Sequence, residues 1–154
     1  MMPTPDSSLR AIVAGSPILS TILNRWSSID LPDCWLSGSA IAQTAWNAAF
    51  GLSPDYGLAD IDLVYFDVAD LSEEGEARQA ASIRALFPDV PLWIDAKNEA
   101  RVHLWYEAKF GYPMSPTDRP NRSYRPSRRR RGRLRFALTG GGCRSSPPSA
   151  YLTY

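Results

Sequence analysis

Histidine and cysteine are scarce in this chain of 154 residues: there is one His, His103, and there are two Cys, Cys34 and Cys143. Neither cysteine belongs to a CxxC pair or a Cys/His cluster, which argues against a zinc site or a disulfide scaffold and for a reducing, cytoplasmic setting. Long apolar runs are lacking as well. None approaches the ~18 residues of a membrane-spanning helix, and the N-terminus, Met1-Met2-Pro3-Thr4-Pro5-Asp6, has no basic segment leading into an apolar one. Neither export nor a membrane partner is expected. The two parts of the chain are each short of one sign of charge. Up to Met114 there are 7 Lys/Arg against 15 Asp/Glu, a net of −8, whereas from Ser115 onward 10 Arg face only Asp118, a net of +9. The overall +1 therefore hides two kinds of sequence joined near residue 115.

What is present suits one globular domain, with 44% hydrophobic and 11% aromatic residues and enough length for a core. Residues 7–29 carry Leu9, Ile12 and Val13, then Ile18, Ile22, Leu23 and Trp26 at helical spacing, with Pro17 marking a fresh start. This N-terminal segment, residues 1–29, is expected to pack on the core formed by later residues. Cys34-Trp35-Leu36 reads as a short buried strand. Ser37-Gly38-Ser39 then opens a helix over 40–50, with Ile41, Ala45 and Ala49 on one face and Ala42, Trp46 and Phe50 beside them. After a loop over 51–57, residues 60–67 read as a strand. Asp70-Leu71-Ser72-Glu73 matches a capping box, and a helix to about Phe87 turns Ala80, Ile83 and Phe87 inward and pairs Glu74 with Arg78 outward. Leu92-Trp93-Ile94-Asp95-Ala96 reads as a third strand with Trp93 and Asp95 on one face. Residues 99–110 return to helix, with Val102, Trp105 and Tyr106 spaced for burial, and Gly111 stops it. The order β-α-β-α-β-α makes residues 30–114 an α/β core around a small sheet.

Two features carry chemistry. In a strand, Asp60 and Asp62 share a face, and paired carboxylates either sit in water or share a cation. They could hold Mg²⁺ through oxygen ligands and bridge it to phosphates, with Asp95 on the next strand as a third acid. The alternative is a polar strand start facing solvent. A strand that ends in Gly38-Ser39 and opens a helix leaves backbone N–H groups free for an anion, while the plainer reading is an N-cap. Lys97 and Arg101 lie four apart just after Asp95, so each could reach a triphosphate, and Arg101 could instead pair with Asp60 or Asp62. His103 reads as structural, and Trp93, Trp105 and Tyr106 as core aromatics that could alternatively stack on a base.

The combination resembles the nucleotidyltransferase superfamily of DNA polymerase beta, in which a Gly-Ser turn grips the triphosphate and three acids bind two metal ions. More specifically, Trp35-Leu36-Ser37-Gly38-Ser39-Ala40-Ile41 with Trp46-Asn47, then Asp60 to Asp67, then Lys97 to Trp105, resemble a nucleotidyltransferase-like family of bacteria and fungi. The likeness covers about residues 30–114. Twenty residues separate Ser39 from Asp60, more than is usual in the superfamily, and the stretch after Met114 departs from the family completely. The resemblance implies an α/β (α+β) fold with a small mixed sheet flanked by helices. It also implies Mg²⁺-dependent transfer of a nucleoside monophosphate from an NTP to an unidentified acceptor, with pyrophosphate released. Asp60, Asp62 and Asp95 would be the metal-binding and catalytic acids, Gly38 and Ser39 would hold the phosphates, and Lys97 and Arg101 would contact them. A two-metal site of this kind holds its ions ~3.5–4 Å apart. The alternative is a catalytically inactive member of the fold serving as a binding or regulatory module.

Residues 115–154 hold Arg128-Arg129-Arg130-Arg131-Gly132-Arg133, Gly140-Gly141-Gly142 and Pro147-Pro148, a composition that cannot readily form a core. The tail is expected to be disordered, and three origins compete: a solvated basic tail, an electrostatic arm for nucleic acid, or a frame-shifted end that leaves the core truncated. The frame-shifted reading is preferred because the family resemblance stops so abruptly. Nothing in the sequence fixes the oligomeric state.

Overall fold

The computed structural model describes residues 5–116, 135–139 and 149–153. Helix α1 (Pro5–Ala14) and helix α2 (Pro17–Asn24) are separated at Ser16, whose hydroxyl accepts from the Leu19 amide at 3.0 Å while Pro17 occupies the first helical turn. Strand β1 (Trp35–Leu36) runs straight into helix α3 (Gly38–Ala49), and strand β2 (Asp60–Tyr65) comes after the loop over 51–57. Helix α4 (Glu73–Leu86) leads to strand β3 (Trp93–Asn98), and a 3-10 turn, Glu99–Arg101, precedes helix α5 (Val102–Phe110). Gly111 closes α5 in the left-handed region (φ 79°), where glycine is favoured.

The sheet has the order β1-β2-β3, with β1 antiparallel to β2 and β2 parallel to β3. It is the small mixed sheet of an α/β (α+β) fold, with the helices packed against it. Alternation along β2 and β3 divides it cleanly. Ile61, Leu63 and Tyr65 with Ile94 and Ala96 are buried against Ile41 of α3 and Ala80 and Ile83 of α4. Leu9, Val13, Leu19, Ile22 and Trp26 complete that core from the N-terminal segment. The opposite set, Asp60, Asp62 and Val64 with Trp93, Asp95 and Lys97, is exposed or only half-buried. Among the described residues, the helices thus cover one face and leave the acidic face open.

Several local expectations change. The capping residue of α4 is Ser72, not Asp70: the Ser72 hydroxyl accepts from the Gly75 amide at 3.0 Å, while Asp70 accepts from the Ser72 amide at 2.9 Å. Arg78 pairs with that same Asp70 carboxylate at 3.2 Å rather than with Glu74. In α3 the buried stripe is Ala40, Ile41, Thr44 and Asn47, and Trp46 and Phe50 are exposed. Asn47 explains the rotation. Its amide donates to the carbonyls of Pro54 (2.9 Å) and Tyr56 (2.7 Å), so the helix must face the loop that delivers β2. Helix α5 buries none of its residues, and Val102, Trp105 and Tyr106 are at most partly covered. Its aromatics pack on one another instead, with Tyr106 and Phe110 rings 4.6 Å apart.

In the basic tail, strands β4 (Arg135–Thr139) and β5 (Ser149–Thr153) pair antiparallel. Phe136-Ala137-Leu138 and Ala150-Tyr151-Leu152 are β-prone islands that the Arg, Gly and Pro content of the tail obscures. The Arg128–Arg133 run lies outside the described residues, so the expectation of disorder there does too.

Candidate functional site

The open face of the sheet brings most of the candidate residues to one level. Asp62 and Asp95 are direct partners across the parallel β2/β3 pair, and Asp60 is the partner of Trp93. On the other side of β2, the Ser37 amide donates to the Asp62 carbonyl at 2.8 Å, one step beyond the last β1 pair. That bond sets the start of α3, at Gly38, beside Asp62. The first amides of α3 have no partners within the helix, and Ser37 is its N-cap without a side-chain capping bond. Ser39 is exposed at the same end.

The acids strain against one another electrostatically. Burial, then the negative charges of Asp60 and Asp95, raise the Asp62 pKa above its ordinary value, and Lys97 partly opposes them. Lys97 extends from β3 so that its Nζ lies 3.2 Å from Asp95 Oδ2 and 3.9 Å from Glu76 Oε1. The second oxygen of Asp95, Oδ1, accepts from the Ala96 amide at 3.0 Å. These are hard oxygen donors of the kind that suit Mg²⁺, and the ammonium of Lys97 stands where a cation would neutralise Asp95. As they stand, no three His, Cys, Asp or Glu side chains among the described residues are grouped closely enough to hold a metal ion together.

Arg101 stands apart from these acids. It is 8% exposed, and donates from Nε to the Leu71 carbonyl (2.8 Å) and from Nη1 to Glu76 Oε1 (2.8 Å). Its charge partner is therefore Glu76 of α4, and neither Asp60 nor Asp62. Glu76 also accepts from the Asn98 amide at 2.8 Å, while the Asn98 side chain donates to the Asp67 carbonyl (2.7 Å) and accepts from the Asp67 amide (3.0 Å). This buried group holds the loop after β2 against the end of β3. Sequence reasoning passed over Glu76 and met Asn98 only as part of the Lys97 to Trp105 stretch, because their partners lie 22 to 31 residues away and no local pattern marks the contacts. His103 is half-buried on α5, and its Nδ1 is without a hydrogen bond.

The fold is similar to a solved structure, "The NMR structure of the protein reveals a CCA-adding enzyme head domain", with a TM-score of 0.62 and 22% sequence identity over 98% of this chain and 72% of that one. No curated protein matches this chain in sequence. A family model described as nucleotidyltransferase matches residues 24–126, a span that takes in β1 to β3, the Gly38-Ser39 turn and every candidate acid. The chain belongs to the nucleotidyltransferase family.

Proposed function

We propose that this protein transfers a nucleoside monophosphate from an NTP to a hydroxyl acceptor on the open face of its sheet. The observation that carries the reading is the placement of Asp62 opposite Asp95 and beside the start of α3, tied there by the Ser37 to Asp62 backbone bond of 2.8 Å. The α3 amides, with Gly38 letting the backbone come close and Ser39 offering its hydroxyl, bind and orient the phosphates. Asp60, Asp62 and Asp95 are the residues that would hold Mg²⁺. An ion bound there would neutralise phosphate charge and would make the acceptor hydroxyl more acidic. Asp95 takes the hydroxyl proton, the acceptor oxygen forms its bond to the α-phosphorus, and the bond to pyrophosphate breaks. Lys97, exposed at its tip and within reach of Asp95, moves to phosphate oxygens. Arg101 acts at a distance by holding Glu76 and the Leu71 carbonyl in place.

A second reading has its own support. The acids are not gathered as a ready metal cluster and Lys97 already neutralises Asp95, which suits an inactive member of the fold that binds without transferring. Calorimetry of the full chain with Mg²⁺ and each NTP, followed by measurement of released pyrophosphate, separates the two. Transfer predicts metal-dependent NTP binding that Asp62→Ala abolishes. Binding unchanged by Asp62→Ala, or absent altogether, overturns it.

A further inference from the structure

Lys97 stands between two carboxylates on different elements. Its Nζ lies 3.2 Å from Asp95 Oδ2 and 3.9 Å from Glu76 Oε1. The three side chains differ in how firmly they are held. Glu76 is 12% exposed, and each of its oxygens already accepts a bond, Oε1 from Arg101 Nη1 at 2.8 Å and Oε2 from the Asn98 amide at 2.8 Å. The Lys97 side chain is 59% exposed, and its ammonium ends a flexible four-carbon stem. Glu76 is therefore a fixed charge and Lys97 a movable one.

Asp95 Oδ1 accepts from the Ala96 amide at 3.0 Å, so Oδ2, the oxygen beside Lys97, is the one whose electron pairs no backbone donor uses. Mg²⁺ binds oxygen at ~2.1 Å. With Nζ 3.2 Å from that same oxygen, ion and ammonium would be no more than about 5 Å apart. They repel at that distance, and an ion pair with so exposed a lysine is weakly held. The ammonium is the charge that gives way. It has a short way to go, because Glu76 Oε1 is 3.9 Å off and keeps an acceptor position that Arg101 does not use.

We propose that Lys97 is a resident counter-cation of Asp95 which a divalent ion displaces, and that Glu76 is the positioning residue that receives the ammonium. The inference rests on the reading of Asp95 as a metal-binding acid. It gives the Lys97 to Asp95 pair a role in an active protein. Without metal the ammonium limits repulsion among Asp60, Asp62 and Asp95, and a monovalent ion, with no more charge than the ammonium, does not replace it.

Calorimetry of the full chain with MgCl₂, at constant ionic strength, measures the competition. Lys97→Met should bind Mg²⁺ at least about fivefold more tightly than the wild type. Glu76→Gln keeps acceptors for Arg101 and the Asn98 amide but loses the charge. It should weaken Mg²⁺ binding when Lys97 is present and much less in Lys97→Met, whereas two charges acting independently on the ion would add. The Lys97 ε-methylene NMR signal, assigned by its loss in Lys97→Met, reports the movement even if Glu76→Gln does not fold. It should shift saturably with Mg²⁺, towards its position in metal-free Asp95→Asn, and not with NaCl at equal ionic strength. The proposal is overturned if Lys97→Met binds Mg²⁺ no more tightly than the wild type, if Glu76→Gln has the same effect in both backgrounds, or if the Lys97 signal stays in place while Mg²⁺ saturates the protein. Mg²⁺ binding absent from both the wild type and Lys97→Met overturns it together with the metal-binding reading. Failure of the transfer reading shows separately, as Mg²⁺-ATP binding that is absent or indifferent to Asp62→Ala.

Discussion

Replacing Asp62 by Asn should make the metal-free protein more stable at neutral pH. Asp62 and Asp95 leave neighbouring strands as direct partners, and strands lie ~4.8 Å apart. Two carboxylates about 5 Å apart repel by about 0.8 kcal/mol in water and about 3 kcal/mol at an effective dielectric of 20. Half-burial of Asp62 and the Lys97 ammonium 3.2 Å from Asp95 place the net gain near the lower figure, about 1 kcal/mol. The pH dependence has a definite sign. The folded-state pKa of Asp62 is raised from 3.8, first by burial and then by Asp60 and Asp95. Its favourable contribution is therefore complete below the unfolded value and lost as pH rises through the folded one. The advantage of Asp62→Asn should be absent at about pH 3 and present at neutral pH. Urea unfolding of both proteins across that range measures it. A variant less stable at neutral pH, or a gain undiminished in acid, would refute the description of Asp62 as a repelled carboxylate. Adding Mg²⁺ reverses the order if the acids hold the ion: at a hundredfold excess over Kd the wild type gains about 2.7 kcal/mol that the variant lacks. Equal stabilisation of the two would remove Asp62 from the metal-binding residues.

The packing gives three other expected outcomes. Glu76→Ala leaves the buried Arg101 guanidinium without its carboxylate and should cost about 3–5 kcal/mol in denaturant unfolding; a loss below about 1 kcal/mol would mean that water replaces Glu76 freely. Gly75→Ala should destabilise despite the better helix propensity of Ala, because an added Cβ would lie 2.1 Å from Asp70 Oδ2. In an Asp70→Ala background the same change should instead stabilise by about 1 kcal/mol, and thermal melts of the four proteins decide it. The Cys34 thiol, pushed up to about 12 by burial, should resist a disulfide-exchange reagent at neutral pH in a folded Cys143→Ser protein and react fully in urea; rapid labelling of the folded protein would contradict the burial.

Much of this arrangement is legible in the sequence because two periodicities carry it. Alternation in Asp60-Ile61-Asp62-Leu63-Val64-Tyr65 predicts which side chains are buried, and the burial of Ile61, Leu63 and Tyr65 agrees. The helical spacing of Ala80, Ile83 and Phe87 works equally well. What fails has a common cause. Trp46 and Phe50 are exposed because α3 is turned by a polar side chain in its buried stripe, Asn47, and hydrophobicity alone gives it no weight. Arg101 is close in sequence to Asp95 yet bonds to Glu76 on another helix. Ser16, likewise, donates to Asp55, 39 residues away, and so ties α2 to the loop before β2. Long-range polar contacts of this kind leave no local pattern.

The same polar contacts explain how a sheet with repelling acids keeps its register. Within the β2/β3 pair, Asp62 faces Asp95 and the charges push the strands apart. At its end, the Asn98 side chain donates to the Asp67 carbonyl at 2.7 Å and accepts from the Asp67 amide at 3.0 Å, continuing the ladder past the last paired residue of β2. A slip of β2 by one residue would turn Asp62 towards Ile41 and Ile83 and bring Leu63 out to solvent. It would also strand the fully buried Asn98 amide without its partners. Asn98→Ala should consequently lower the unfolding free energy by about 1–3 kcal/mol and, through Lys97 beside it, weaken Mg²⁺-NTP binding more than it weakens binding of Mg²⁺ alone. An equal loss on both ligands, measured by calorimetry in conditions where the variant remains folded, would show that Asn98 serves stability alone.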